Sequence, residues 1–144
     1  MPRKYIIIAV VLAVIAVLFW TLRSPIPAGE ETVSSSQRLE KKTTAVGGIT
    51  VQAQPELLGD GNLQFLLQLT AHSGDLSLYD AGRNLLLKSG GEELAPLRAE
   101  NAAGSGPSEH HRELVAVFSA PQNDDFTLVL QRLEGETEAI LQWP

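Results

Sequence analysis

Residues 5 to 22, YIIIAVVLAVIAVLFWTL, form an apolar run of eighteen residues without a charge, and Arg3 and Lys4 stand directly before it. At about 1.5 Å per helical residue such a run spans roughly 27 Å, close to the ~30 Å hydrocarbon core of a bilayer. The run predicts one N-terminal transmembrane helix. A secretory signal peptide is the competing reading, since it too has a basic start and an apolar stretch, but its apolar core is shorter and ends at a small-residue cleavage site. Here the run ends in Phe19, Trp20, Thr21 and Leu22, and near Ala28 the residues Pro25, Ile26 and Pro27 do not make such a site. An uncleaved anchor is the expectation. Lys and Arg near the ends of a span favour the cytoplasmic side; Arg3 and Lys4 precede the run, whereas a lone Arg23 followed by Glu30 and Glu31 succeeds it. This predicts a single-pass cell-membrane protein with residues 1–4 in the cytoplasm and the C-terminal part extracytoplasmic, periplasmic or extracellular. Tyr5 and Trp20 fall near the two ends of the run, where amphipathic rings favour the headgroup level.

The remainder divides by composition. From Ser24 to Thr44 the sequence SPIPAGEETVSSSQRLEKKTT carries prolines, serines and mixed charge with almost no apolar period. Such a segment buries too little surface to offset its ordering entropy, so residues 23–44 are read as a flexible linker and residues 45–144 as one folded domain. The chain contains no cysteine, which removes disulfides, thiolate metal sites and a lipidated cysteine. About 100 residues can bury a core without such staples. Through Thr44 six basic residues stand against three acidic ones, whereas from Ala45 onward five basic residues face fourteen acidic ones. A domain with this excess lacks the positive footprint that phosphate backbones require, so no nucleic-acid partner is expected.

From Gly48 the hydrophobic period becomes two. Leu63, Phe65, Leu67, Leu69 and Ala71 alternate with Asn62, Gln64, Gln68 and Thr70, with Leu66 breaking the polar face, as in a strand with one buried side. ITVQAQ, LLLKS, LAPLRAE, ELVAVFSA, FTLVLQRL and TEAILQW make six further short runs, separated by the turn-forming clusters LGDGN, DAGRN, SGGEE, NAAGSGPS and PQNDD. Seven such runs without a helical segment of useful length predict an all-β, immunoglobulin-like antiparallel β-sandwich. The last two runs read as a hairpin, with Trp143 on the core edge.

The histidines concentrate in two stretches. His72 lies in AHSGDLS at the end of the second run, and His110 and His111 lie in SEHHREL at the start of the fifth. In a constant-type immunoglobulin order the second and fifth strands are antiparallel neighbours in one sheet. His72, Asp75, His110, His111 and Glu109 should therefore meet at one rim. Imidazoles and a carboxylate suit zinc or copper, so His72, Asp75, His110 and His111 form a candidate metal set. Parity restricts it: with Leu114, Ala116 and Phe118 inward, His110 would face the core side, and His111 and His72 the outer side. The outer pair is then His72 with His111, and only irregular backbone at the rim would add His110. The alternative reading makes these residues a tie between loops, with His72 and Asp75 bonding backbone groups, Ser73 capping a turn, and Arg112 pairing with Asp75 or Glu113.

HSGDL after a strand, followed some forty residues later by HHRE running into an apolar strand with Phe118, is similar to a pattern in small bacterial and archaeal extracytoplasmic domains that are often membrane-anchored and of uncharacterised function. The pattern usually has a glycine two residues after the arginine, where this chain has Leu114, which implies a differently built strand start. The resemblance implies a β-sandwich over residues 49 to 143 and groups Ser73, Leu76 and Arg112 with His72, Asp75, His110 and His111 as one structural motif. It implies no activity. A hydrolase assembled from Ser73, a histidine and Asp75 lacks a nucleophile elbow; Asp124 and Asp125 read as a turn, and the Gly104 and Gly106 loop opens no helix that could cradle phosphate. The functional expectation is a non-enzymatic, membrane-anchored binding or assembly module of the cell envelope, held by residues 5–22 and meeting a protein partner, with no resident cofactor. The alternative is a zinc- or copper-binding or sensing domain.

Overall fold

In the computed structural model, residues 36–106, 108, 110–133 and 137–144 are described. The apolar run at 5–22 and most of the expected linker lie outside them. Among the described residues no helix is long and apolar enough to cross a membrane.

Among the described residues, ten strands and one helical turn follow in order: β1 (Gln37–Arg38), β2 (Lys42–Val46), β3 (Ile49–Leu57), β4 (Leu63–Ala71), α1 (Ala81–Asn84), β5 (Leu85–Ser89), β6 (Glu92–Leu94), β7 (Arg98–Asn101), β8 (His111–Phe118), β9 (Phe126–Leu130) and β10 (Ala139–Trp143). They make two antiparallel sheets. One has the order β3-β4-β8-β7, with β1 and β2 both pairing along β3; the other runs β10-β9-β5-β6. Alternation decides which side of each strand is buried: Leu63, Phe65, Leu67 and Leu69 of β4 and Leu114, Ala116 and Phe118 of β8 face the same core as Leu128, Leu130 and Leu141 of the second sheet. Phe65 sits between the sheets, its ring 5.8 Å from Phe118, 6.0 Å from Phe126 and 5.5 Å from Trp143. Edge-on contacts of this kind add to the area term.

Two expectations change in detail. The sequence run LAPLRAE is not one strand: Leu94 ends β6 in one sheet and Arg98 begins β7 in the other, so the chain changes sheets at Ala95, Pro96 and Leu97. Pro96 has no N–H to give a ladder, which makes it a natural break. The folded domain also starts before Ala45. β2 pairs with β3 from Lys42↔Ala53 to Val46↔Ile49, and β1 pairs Arg38 with Glu56. Leu39 packs on the core. Trp143 Nε1 donates to the Glu40 carbonyl at 2.7 Å, and the Lys42 ammonium donates to the Gln142 carbonyl beside the Trp143 ring. These bonds hold residues 36–46, read as linker up to Thr44, to the C-terminal strand.

The β2–β3 connection is a two-residue turn in which Gly47 and Gly48 have φ of 57° and 78°, the left-handed conformation that such hairpins require. It also positions the histidine rim. The Gly48 carbonyl accepts from the His72 backbone N–H at 2.9 Å, and a Cβ on Gly48 would lie 2.6 Å from the Ser73 hydroxyl.

Candidate functional site

β4 and β8 pair antiparallel with Leu69↔Arg112 and Thr70↔His111 in register, and the Ala71 N–H donates to the His110 carbonyl at 2.9 Å. The end of one strand therefore lies beside the start of the other, and the motifs around His72 and His110–Arg112 share one rim of the sandwich.

Several rim side chains bond to neighbouring protein groups. His111 faces outward, and its Nδ1 lies 3.3 Å from the Thr70 hydroxyl and its Nε2 3.4 Å from a Glu113 oxygen, which also accepts from the Gln68 amide at 3.1 Å. Its ring belongs to a cross-strand polar ladder. His110 is exposed, where strand parity had placed it toward the core, because it lies in a bend before β8 begins at His111. His72 is exposed too. Asp75 closes a local turn, accepting from the Ser77 backbone N–H at 2.7 Å. Hydrogen bonds from Ser77, side chain first and then backbone, hold the Asp75 carboxyl below the usual carboxylate range, and the charge of His110 adds a smaller pull in the same direction. Among the described residues no group of three or more histidine, aspartate or glutamate side chains is placed to hold an ion. The expected metal set of His72, Asp75, His110 and His111 lies among those residues. Glu109 lies outside the described residues.

Arg112 organises the rim. It is the inward-facing residue before Leu114 on β8, only 7% exposed, and its guanidinium points into the protein. Nη1 donates to the Leu76 carbonyl at 3.1 Å and to the Tyr79 carbonyl, and Nη2 donates to the Asn101 amide oxygen at 2.8 Å. Nε has no partner. Neither Asp75 nor Glu113 pairs with it, and among the described residues Arg112 has no carboxylate partner. A buried charge is tolerated only when hydrogen bonds replace its lost water. Here two backbone carbonyls and one side-chain amide do so, and in return they fix the segment after β4 against β7.

That segment is packed as well as bonded. Leu76 is fully buried, and the Tyr79 ring is buried with its hydroxyl donating to the Asn84 carbonyl at 3.3 Å. Burial raises the Tyr79 phenol well above its ordinary pKa. Between Leu76 and Tyr79 the chain turns outward, and Leu78 stands 89% exposed. Beside it, a cleft of about 350 Å³ opens between the Ser77–Gly82 segment and Ala99, Glu100 and Asn101 of β7, with Arg112 in its wall.

Of the residues singled out in the sequence, Leu76 and Arg112 make the tie directly, and Ser73 meets the turn at Gly48. Tyr79 and Asn101 were missed. Strand parity was the available signal for Arg112, since counting back from Leu114 places position 112 inward. A larger depression of about 590 Å³ lies by Lys42, Lys88 and Trp143, but its lysines are engaged, Lys42 with the Gln142 carbonyl and Lys88 with Glu93 at 2.8 Å. Compared with known proteins, the chain matches no family model, no curated protein and no solved structure.

Proposed function

We propose that the chain is a single-pass membrane protein that presents this sandwich outside the cytoplasm as a binding or assembly module of the cell envelope. The apolar run at 5–22, with its flanking charges and its resemblance-bearing motifs downstream, supports the location. The strand order β3-β4-β8-β7 facing β10-β9-β5-β6 supports an immunoglobulin-like arrangement, because the four strands of one layer correspond to the A-B-E-D order of that fold.

The observation that carries the binding role is the Arg112 tie. On either side of Leu78, Arg112 holds the carbonyls of Leu76 and Tyr79, and Asp75 holds the Ser77 N–H. An exposed leucine on a segment already fixed loses little freedom when a partner covers it, so its burial counts almost fully toward affinity. Leu78→Glu tests this. In membranes carrying the tagged full chain, crosslinking should capture a partner with the wild type and lose it with Leu78→Glu, while the variant's melting temperature stays within about 1 °C. Undiminished capture by a folded Leu78→Glu chain refutes the assignment.

A further inference from the structure

We infer that residues 37–46, carrying β1 and β2, form a strap that detaches while the two sheets beneath it stay folded, and that its detachment lengthens the attachment to the membrane. The second half rests on the membrane-anchored reading; the first stands on the packing of the strap itself.

Burial separates the strap from the strand it lies on. Neither β1 nor β2 contains a buried residue, whereas Ile49, Val51 and Ala53 of β3 are buried. The positions of β2 in register with those three are Val46, Thr44 and Lys42, so only one of the core-facing residues is aliphatic. Leaving the sandwich therefore moves little apolar side chain into water. Nor does β3 depend on the strap, because it pairs with β4 along its whole length, from Ile49↔Ala71 to Leu57↔Leu63. Few buried apolar contacts on an outer ladder mark a segment that opens below the free energy of global unfolding.

The ladder is also interrupted. Arg38 faces Glu56 and Lys42 faces Ala53, which leaves Leu39, Glu40 and Lys41 opposite only Gln54 and Pro55. The extra residue makes a bulge. The Pro55 carbonyl accepts from the Leu39 N–H at 2.9 Å, and proline has no N–H to return. What fixes the strap at this point is Leu39 on the core and the bond from Trp143 to the Glu40 carbonyl. At the far end the Gly48 carbonyl accepts from the His72 N–H at 2.9 Å, so Gly48 stays with the sandwich and Gly47 is the pivot. The chain enters at Gln37, away from that pivot, so a pull from the N-terminal side meets the ladder one bond at a time. Detachment as far as Val46 frees ten residues, at most about 35 Å of extended chain.

Hydrogen exchange on the full chain in nanodiscs tests the detachment. Amides of residues 39–46 should exchange roughly tenfold or more faster than those of β4, which has a strand on either side. Leu39→Asp removes the apolar anchor and should speed the strap further while β4 keeps its rate. Thr43→Cys/Gln52→Cys places a register pair of thiols in a chain without other cysteines, and its disulfide should slow the amides of residues 44–46 until it is reduced. For the lengthening, energy transfer from a dye on Glu92→Cys, an exposed position, to acceptor lipids should fall when Leu39→Asp is added. Strap amides as slow as those of β4, a Leu39→Asp chain in which both speed up together, or a disulfide without effect overturns the strap. Equal energy transfer overturns the lengthening. The exchange rates hold whichever side of the membrane the domain occupies, so the strap and the location fail separately.

Discussion

Replacing Arg112 by methionine removes the guanidinium while keeping much of the stem's volume, and its cost can be worked from the bonds lost. Three charge-assisted bonds end, to the carbonyls of Leu76 and Tyr79 and to the Asn101 amide oxygen. Hydrogen bonds to charged groups contribute about 1.5–3 kcal/mol each, which sets a ceiling of roughly 5–9 kcal/mol. The net is smaller, because the variant no longer buries a charge, and the unpartnered Nε disappears with it. We expect a loss of about 2–4 kcal/mol, a large share of the ~5–15 kcal/mol that holds a domain of this size. At about 4–8 °C per kcal/mol the melting temperature should fall by roughly 8–32 °C. Asn101→Ala removes one of the three acceptors, at a part-buried bond, and should cost about 1.5 kcal/mol, the low end for a bond to a charged group. Urea unfolding of the fragment from Ser36, read by Trp143 fluorescence, measures both. Arg112→Met within about 0.5 kcal/mol of wild type, or Asn101→Ala as costly as Arg112→Met, would refute the reasoning.

Other outcomes follow from the packing. Phe65→Ala should cost about 3–5 kcal/mol, because the ring is fully buried and touches three aromatic neighbours; calorimetry of the same fragment checks it. A fragment beginning at Gly47 should melt well below one beginning at Ser36, since it lacks β1, β2 and the bonds from Glu40 and Lys42 to the last strand. Equal melting would return those residues to the linker. Asp75 has a folded pKa below its unfolded value, so its contribution is present above the unfolded pKa and is lost as pH falls through the folded one. Asp75→Asn should therefore flatten the stability profile below about pH 4, measured by melting temperature across an acid series.

Much of the sheet architecture can be read in the sequence because burial imposes a period. Leu63 to Ala71 alternates apart from Leu66 and forms β4 over those residues; the adjacency of β4 and β8 follows from strand order, which is what brings the two histidine motifs to one rim. Residues 37–44 escaped because Gln, Lys and Thr dominate them and give no apolar period, and what holds them is the ladder offered by β3 and the bonds to the last strand. Pro96 marked a break that composition alone left inside one run. At the rim, histidine drew attention for its chemistry, while the residue that organises the segment is an arginine in an inward position. Two of its three partners are main-chain carbonyls, which leave no trace in side-chain spacing.

The central claim is that the sandwich is held by its N-terminal run on the far side of a membrane. A fusion of the full chain, after Pro144, to a reporter enzyme active only outside the cytoplasm tests it most directly, with a cytoplasm-only reporter at the same place as its complement. The first should be active and the second silent, with the membrane-bound product at the size of the uncleaved chain. Activity of the cytoplasmic reporter, or a mature product beginning near Ala28, would contradict it.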